Sequence, residues 1–147
     1  EPDWLNEMMT AARLSTGVRA AFHPGSMSAV IKAIKRGESV AFMNDQYAHP
    51  PMGMPVKFFG VKVHTLAAVG PIAKRTGAAV VPAYCVRCED GKGRIIIEPE
   101  LDLGPALDDA EAATEAIAAR VETWVRRYPE QWLWMHRRFK NVDWPTR

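Results

Sequence analysis

Residues 109–128 constrain the fold more than any other stretch. Ala110, Ala113, Ile117, Val121, Trp124, Val125 and Tyr128 recur with a period of 3.6 residues, so one stripe of a long helix must be buried. Asp108 stands three positions before Glu111, the spacing of a capping box, and Glu122 lies four before Arg126 to support the exposed side. A stripe this broad needs a sheet or further helices to cover it. With 147 residues, 48% of them apolar, the chain can supply that cover within one domain.

The remaining elements read as alternating helices and strands. Asp3 is placed to cap a helix whose Trp4, Leu5, Met8, Met9, Ala12 and Leu14 suit one buried face, with Gly17 as its stop. Val18–Phe22 reads as a short strand and His23-Pro24-Gly25 as a turn. Ser26 then caps a second helix that turns Met27, Val30, Ile31 and Ile34 inward. Ser39–Met43 and Ala78–Val86 are nearly unbroken apolar runs, the pattern of strands covered on both faces. Gly70-Pro71 opens a helix ending near Thr76-Gly77, and residues 89–93 form a hairpin turn from which residues 94–98 pair back. Residues 130–138 make a final short helix or turn. This order predicts an α/β chain with a central mixed sheet flanked by helices.

Composition narrows the function. A net charge of +2 gives no general case for a nucleic-acid partner. The charge is uneven, with His136-Arg137-Arg138 and Lys140 at one end and Asp102, Asp108, Asp109, Glu111 and Glu115 upstream. No apolar run reaches the ~18 residues that span a bilayer. Cys85 and Cys88 form a lone C-x-x-C at the end of a strand-like run. Their odd spacing sends the side chains to opposite faces, so ordinary reduced thiols are expected. Neither a metal nor a cofactor is expected, since no second ligand pair accompanies the cysteines.

The stretch FMNDQYAHPPMGMPVKFFG, residues 42–60, places an acid and an amide where an apolar run stops, and follows them with a loop rich in Pro, Gly and Met. Asp45 is either a turn acid that caps backbone N–H groups or a site acid at a strand end, where open α/β folds bind ligands. Met52 and Met54 either line an apolar ligand path or pack on the core. His136, Arg137, Arg138 and Lys140 either hold phosphate or form a solvated basic face. Trp132 and Trp134, two apart, place one ring inward and one at an interface if the segment is extended. His23, His49, His64 and His136 have no Asp or Glu four or five residues on, and G-x-S-x-G, P-loop and dinucleotide fingerprints are absent.

The segment from Asp45-Gln46 through VKFFGVKVHTLAAVGPIAKRTGAAVVPAY to Tyr84, taken with PEQWLWMHRRFK at 129–140, resembles the lipid A biosynthesis lauroyl/myristoyl acyltransferases of the lysophospholipid acyltransferase superfamily. The resemblance runs from about Pro2 to Lys140. It implies a glycerolipid-acyltransferase-like fold and transfer of an acyl chain from acyl carrier protein to a hydroxyl of a lipid A precursor. It also implies a place on the cytoplasmic face of a bacterial inner membrane, usually through an N-terminal hydrophobic helix. Asp45 and Gln46 match the family's third block, Phe58, Phe59 and Gly60 the segment after it, and Thr65, Gly70 and Pro71 the start of the next helix. Pro82 matches the fourth block, and His136, Arg137 and Arg138 the C-terminal signature.

By that resemblance Asp45, Gln46, Phe58, Phe59, Gly60, Thr65, His136, Arg137 and Arg138 form a substrate-side surface. The family's His-x-x-x-x-Asp/Glu motif has no counterpart here, so no catalytic residue is assigned. Residues 1–147 are therefore expected to be the C-terminal portion of a single acyltransferase domain, soluble and inactive alone, with the catalytic pair upstream. Alternatives are a non-catalytic module that binds lipid or acyl carrier protein, and a scaffold without a ligand.

Overall fold

A computed structural model describes residues 2–19, 26–142 and 144. The chain divides into two compact units, residues 1–40 and 41–147.

The first unit holds α1 (Asp3–Ser15) and α2 (Ser26–Lys35). Pro2 is the N-cap of α1 and makes no side-chain cap bond, while Asp3 lies inside the first turn, where its charge favours the helix dipole. Asp3 is thus not the cap. Gly17, at φ +79, ends the helix as expected. None of the expected inner face is buried: Trp4, Met8, Met9 and Leu14 are all exposed, because a stripe is buried only where another element covers it. In α2, Val30, Ile31 and Ile34 are half-buried and Met27 is exposed. Val18 and Arg19 lie in no strand. The rest of the predicted 18–22 strand, the 23–25 turn with His23, and the capping contacts of Ser26 lie outside the described residues.

Residues 39–43 do not form the expected strand. Their exposure alternates, and an extended run becomes a strand only where its N–H and C=O groups meet a ladder partner. No such partner is present among the described residues.

The second unit is built on a hairpin that begins within the Pro-, Gly- and Met-rich stretch read as loop. β1 (Gly53–Phe58) and β2 (Val61–Leu66) pair antiparallel, from Gly53 opposite Leu66 to Phe58 opposite Val61. The two-residue turn is Phe59-Gly60, with φ +51 and +80, the backbone signs of a type I′ turn. Alternation then sends Val56, Phe58, Val63 and Thr65 to one face, all buried, and Lys57 and Lys62 to the other.

The long helix α4 (Ala110–Arg127) covers that face. Its Ala118, Val121 and Val125 form one cluster with Val56, Phe58 and Val63, and Met54, Trp124, Trp132 and Phe139 pack around it. Each fully buried Val or Phe contributes roughly 1.5–3 kcal/mol. The cap of α4 is Asp109, not Asp108: its Oδ1 accepts the Glu111 N–H at 2.8 Å. A 3-10 turn over Gly104–Asp108 keeps the backbone coiled through Asp108, so the chain first opens to extended values at Asp109. Asp108 instead pairs with Lys74 at 3.0 Å.

α3 (Val69–Thr76) ends at Gly77, which is left-handed at φ +68. Gly70 allows α3 to approach α4, since a Cβ there would lie 2.6 Å from that of Ala113. β3 (Ala83–Arg87) and β4 (Gly93–Ile97) form a second antiparallel hairpin, prolonged by bonds from Glu98 N–H to the Pro82 carbonyl and from Leu101 N–H to that of Val80. Residues 79, 81, 83 and 85 are exposed, so the 78–86 run is covered on one side rather than two. A 3-10 turn at Pro129–Gln131 and further tight turns carry residues 132–142. The α/β class stands, but two separate two-stranded antiparallel sheets take the place of the expected central mixed sheet.

Candidate functional site

Three segments meet around Arg138: residues 44–49, the strand β2, and the C-terminal turns. Arg138 is fully buried beneath them. Its Nη1 donates to the His64 carbonyl at 2.9 Å and also to the Gln46 carbonyl, and its Nη2 donates to the Thr65 hydroxyl at 2.7 Å. The guanidinium lies 5.0 Å from the centre of the Phe58 ring. A planar fork with several donors can tie separate segments in this way, where an ammonium could not reach all three. Burial pushes the guanidinium down to about 10, against the opposing field of Asp45, so it stays charged at neutral pH.

Lys140 strengthens the same junction from outside. Its Nζ lies 3.1 Å from His49 Nε2 and 4.0 Å from the centre of the Tyr47 ring, and Asn141 Nδ2 donates to the Tyr47 hydroxyl at 2.6 Å. Tyr47 also packs against the His49 and His64 rings, with centroids 5.0 and 5.7 Å away. The segment following Asp45 and Gln46 is therefore held at both its backbone and its side chains.

The polar accounting of this junction is incomplete. Asn44 Oδ1, His64 Nδ1, His136 Nδ1 and Arg138 Nε are buried without a hydrogen-bond partner among the described residues, and all four belong to the converging segments. Each unpaired buried group costs about 1–3 kcal/mol, a cost that a bound water or ligand would relieve. Asp45 is half-buried beside them, and its carboxylate makes no hydrogen bond or ion pair among the described residues. It does not cap the local turn.

The predicted residues thus separate by location. Phe58, Thr65 and Arg138 are buried, and Arg138 spends its Nη donors on protein oxygens, which leaves it unable to act as a surface phosphate ligand. Asp45 and His136 are half-buried, while Gln46 and Arg137 are exposed. Phe59 and Gly60 lie at the hairpin tip, tied to α4 by the Phe59 N–H donating to Glu122 Oε2 at 2.6 Å and by Arg126 over the Phe59 ring at 4.6 Å. Trp132 packs half-buried against Phe58, whereas Trp134 is exposed. Met52 is exposed and Met54 packs on the core. Cys85 and Cys88 are free thiols.

Sequence reading did not single out Tyr47 or Asn141, or the pairing of Lys140 with His49. No local spacing points to them, since the partners are more than ninety positions apart. One hollow of about 200 Å³ lies elsewhere, between α3 and residues 100–107. It is smaller than the ~300–1,000 Å³ common for ligand pockets and holds no histidine.

Comparison with known proteins matches the sequence to a family over almost the whole chain. The bacterial lipid A biosynthesis acyltransferase family matches residues 1–141. The lipid A biosynthesis lauroyltransferase of Escherichia coli is 34% identical over 140 residues, covering 95% of this chain and 44% of the relative. The lipid A biosynthesis palmitoleoyltransferase of the same bacterium is 33% identical over 118 residues, covering 79% and 38%. A phosphatidylinositol mannoside acyltransferase of Mycolicibacterium smegmatis is 36% identical over 80 residues, covering 54% and 25%. The chain spans less than half the length of these relatives. A match of this extent, together with that identity to the lauroyltransferase, shows that the chain belongs to the bacterial lipid A biosynthesis acyltransferase family.

Proposed function

We propose that this chain is the C-terminal portion of an acyltransferase domain with a glycerolipid-acyltransferase-like fold. The intact protein moves a fatty acyl chain from acyl carrier protein to a hydroxyl of a lipid A precursor. It works at the cytoplasmic face of a bacterial inner membrane. The His that deprotonates the acceptor hydroxyl, and the acid that orients its imidazole, are supplied upstream of residue 1. The observation that carries the reading is the family match over residues 1–141.

The geometry supports a positioning role for this chain. Arg138 and Lys140 hold residues 46–49 against β2, and the Asp45 carboxylate, whose field acts on Arg138, is left without a hydrogen bond among the described residues. Such groups favour a ligand with hydroxyl or amide donors and acceptors, the chemistry of a sugar headgroup. Asp45, Gln46 and His136 face that headgroup in this reading. Phe59-Gly60 borders the acyl path. Arg138, Phe58 and Thr65 act from behind by fixing the backbone.

The test is an assay of the intact protein with acylated carrier protein and a lipid A precursor. Mass spectrometry should show one acyl chain added to the precursor, and residues 1–147 alone should show none. Turnover by residues 1–147 alone would refute the upstream catalytic pair. Binding of lipid or carrier protein by the intact protein without any turnover would favour a non-catalytic binding module.

A further inference from the structure

The turn at residues 133–135 has a composition and an exposure that the acyl-transfer reading does not use. Leu133, Trp134 and Met135 are 64%, 54% and 89% exposed, three consecutive large apolar side chains in one tight turn. Soluble surfaces carry single exposed apolar residues freely, but a contiguous group marks a contact surface. Both ends of the turn are fixed. Trp132 packs into the core cluster beside Phe58, and Arg138 is the buried clamp. The turn is therefore held out by its own foundations.

Part of its hydrogen bonding is closed within the chain. The Trp134 N–H donates to the Trp132 carbonyl at 2.9 Å, the His136 N–H to that of Leu133 at 3.0 Å, and the Arg138 N–H to that of His136 at 2.7 Å. The Trp134 indole N–H donates to the Pro129 carbonyl at 2.6 Å. In hydrocarbon an unpaired donor is penalised heavily, and both donors of Trp134 are already paired, while the Leu133 and Met135 N–H groups have no partner among the described residues and so keep the turn at the wet boundary rather than in the acyl core.

The cations lie on the C-terminal side of the turn: residues 131–142 contain Arg137, Arg138 and Lys140 and no acid, while exposed Glu130 lies on the N-terminal side. Arg138 is buried and Lys140 is engaged by His49, whereas the exposed guanidinium of Arg137 makes no hydrogen bond or ion pair among the described residues. An apolar tip with a tryptophan and an adjacent free cation matches the boundary between headgroups and acyl chains of an anionic bilayer.

We propose that the turn Leu133–Met135 inserts into the interface of an anionic bilayer, with Arg137 bound to lipid phosphate beside it. This contact is made by the chain's own residues and is independent of any anchoring helix. It rests on the exposure, hydrogen bonding and charge of the turn, so its failure would leave the acyl-transfer reading in place.

The test places a nitroxide at Met135→Cys in the intact protein, in a cysteine-free background, with vesicles of phosphatidylethanolamine and phosphatidylglycerol. Glu89→Cys, in the β3–β4 turn, serves as the reference. Collision with oxygen should exceed collision with a water-soluble nickel chelate at 135, the reverse of the order at 89. Arg137→Glu should return the label at 135 toward the aqueous pattern. A label at 135 as aqueous as that at 89 would overturn the proposal. So would shielding from both probes, which would place a protein partner on the turn, or a depth that Arg137→Glu leaves unchanged.

Discussion

Arg138 Nη2 donates to the Thr65 hydroxyl at 2.7 Å across 73 positions of sequence, and the same guanidinium holds the carbonyls of Gln46 and His64. One buried cation thus sets the spacing between the Asp45 segment, the β1–β2 hairpin and the C-terminal turns. The clamp holds in place a segment that has no regular structure of its own.

Arg138→Met should destabilise the protein by about 3 kcal/mol, because it removes the buried donor of the Gln46 carbonyl and the Thr65 hydroxyl and leaves the His64 carbonyl with the Ala48 N–H alone. Arg138→Lys should recover little of that loss, since an ammonium cannot span the fork's acceptors. Urea denaturation of the three proteins would measure both effects.

Asp109→Ala should cost about 1 kcal/mol, the usual value of an N-cap. Asp108→Ala should cost no more than a few tenths, as its pair with Lys74 is an exposed ion pair. Equal losses in thermal melts would return the cap to Asp108.

Glu98 gives a pH signature. Arg120 binds its carboxylate through Nε at 2.5 Å and through Nη2, Trp124 Nε1 donates to it at 3.2 Å, and these bonds hold its carboxyl below the usual glutamate range. A depressed folded value means the contribution is fully present above the ordinary glutamate value and is lost as pH falls through the lowered one. Glu98→Gln should therefore be less stable than wild type near neutral pH by about 1 kcal/mol, a modest figure because Arg120 is partly exposed. The gap should close on acidification below the ordinary glutamate value, in urea melts at stepped pH.

The parts of this fold legible in the sequence are those with a local period. α4 is marked by its stripe from Ala113 to Val125, and the end of α3 by Gly77. The position of its cap moved by one residue because a 3-10 turn runs through Asp108, and no capping rule anticipates that turn. The β1–β2 hairpin had a signal in the alternation of Val56 and Phe58 with Val63 and Thr65. It was masked by the Pro-, Gly- and Met-rich approach and by Phe59 in a turn position that usually takes Asn or Gly. The Ser39–Met43 run failed because pairing, unlike apolarity, is not a property of one segment. Arg138 could not be told from Arg137 by spacing alone. One is buried and the other exposed because of acceptors more than seventy positions away.

The central claim is that Arg138 positions a loop on which Asp45 acts. The most direct measurement is acyl transfer by the intact Asp45→Ala protein alongside its urea denaturation curve. The account predicts that activity falls at least tenfold while the denaturation midpoint stays within the error of wild type. A midpoint that falls in step with activity would make Asp45 a structural residue and contradict the account.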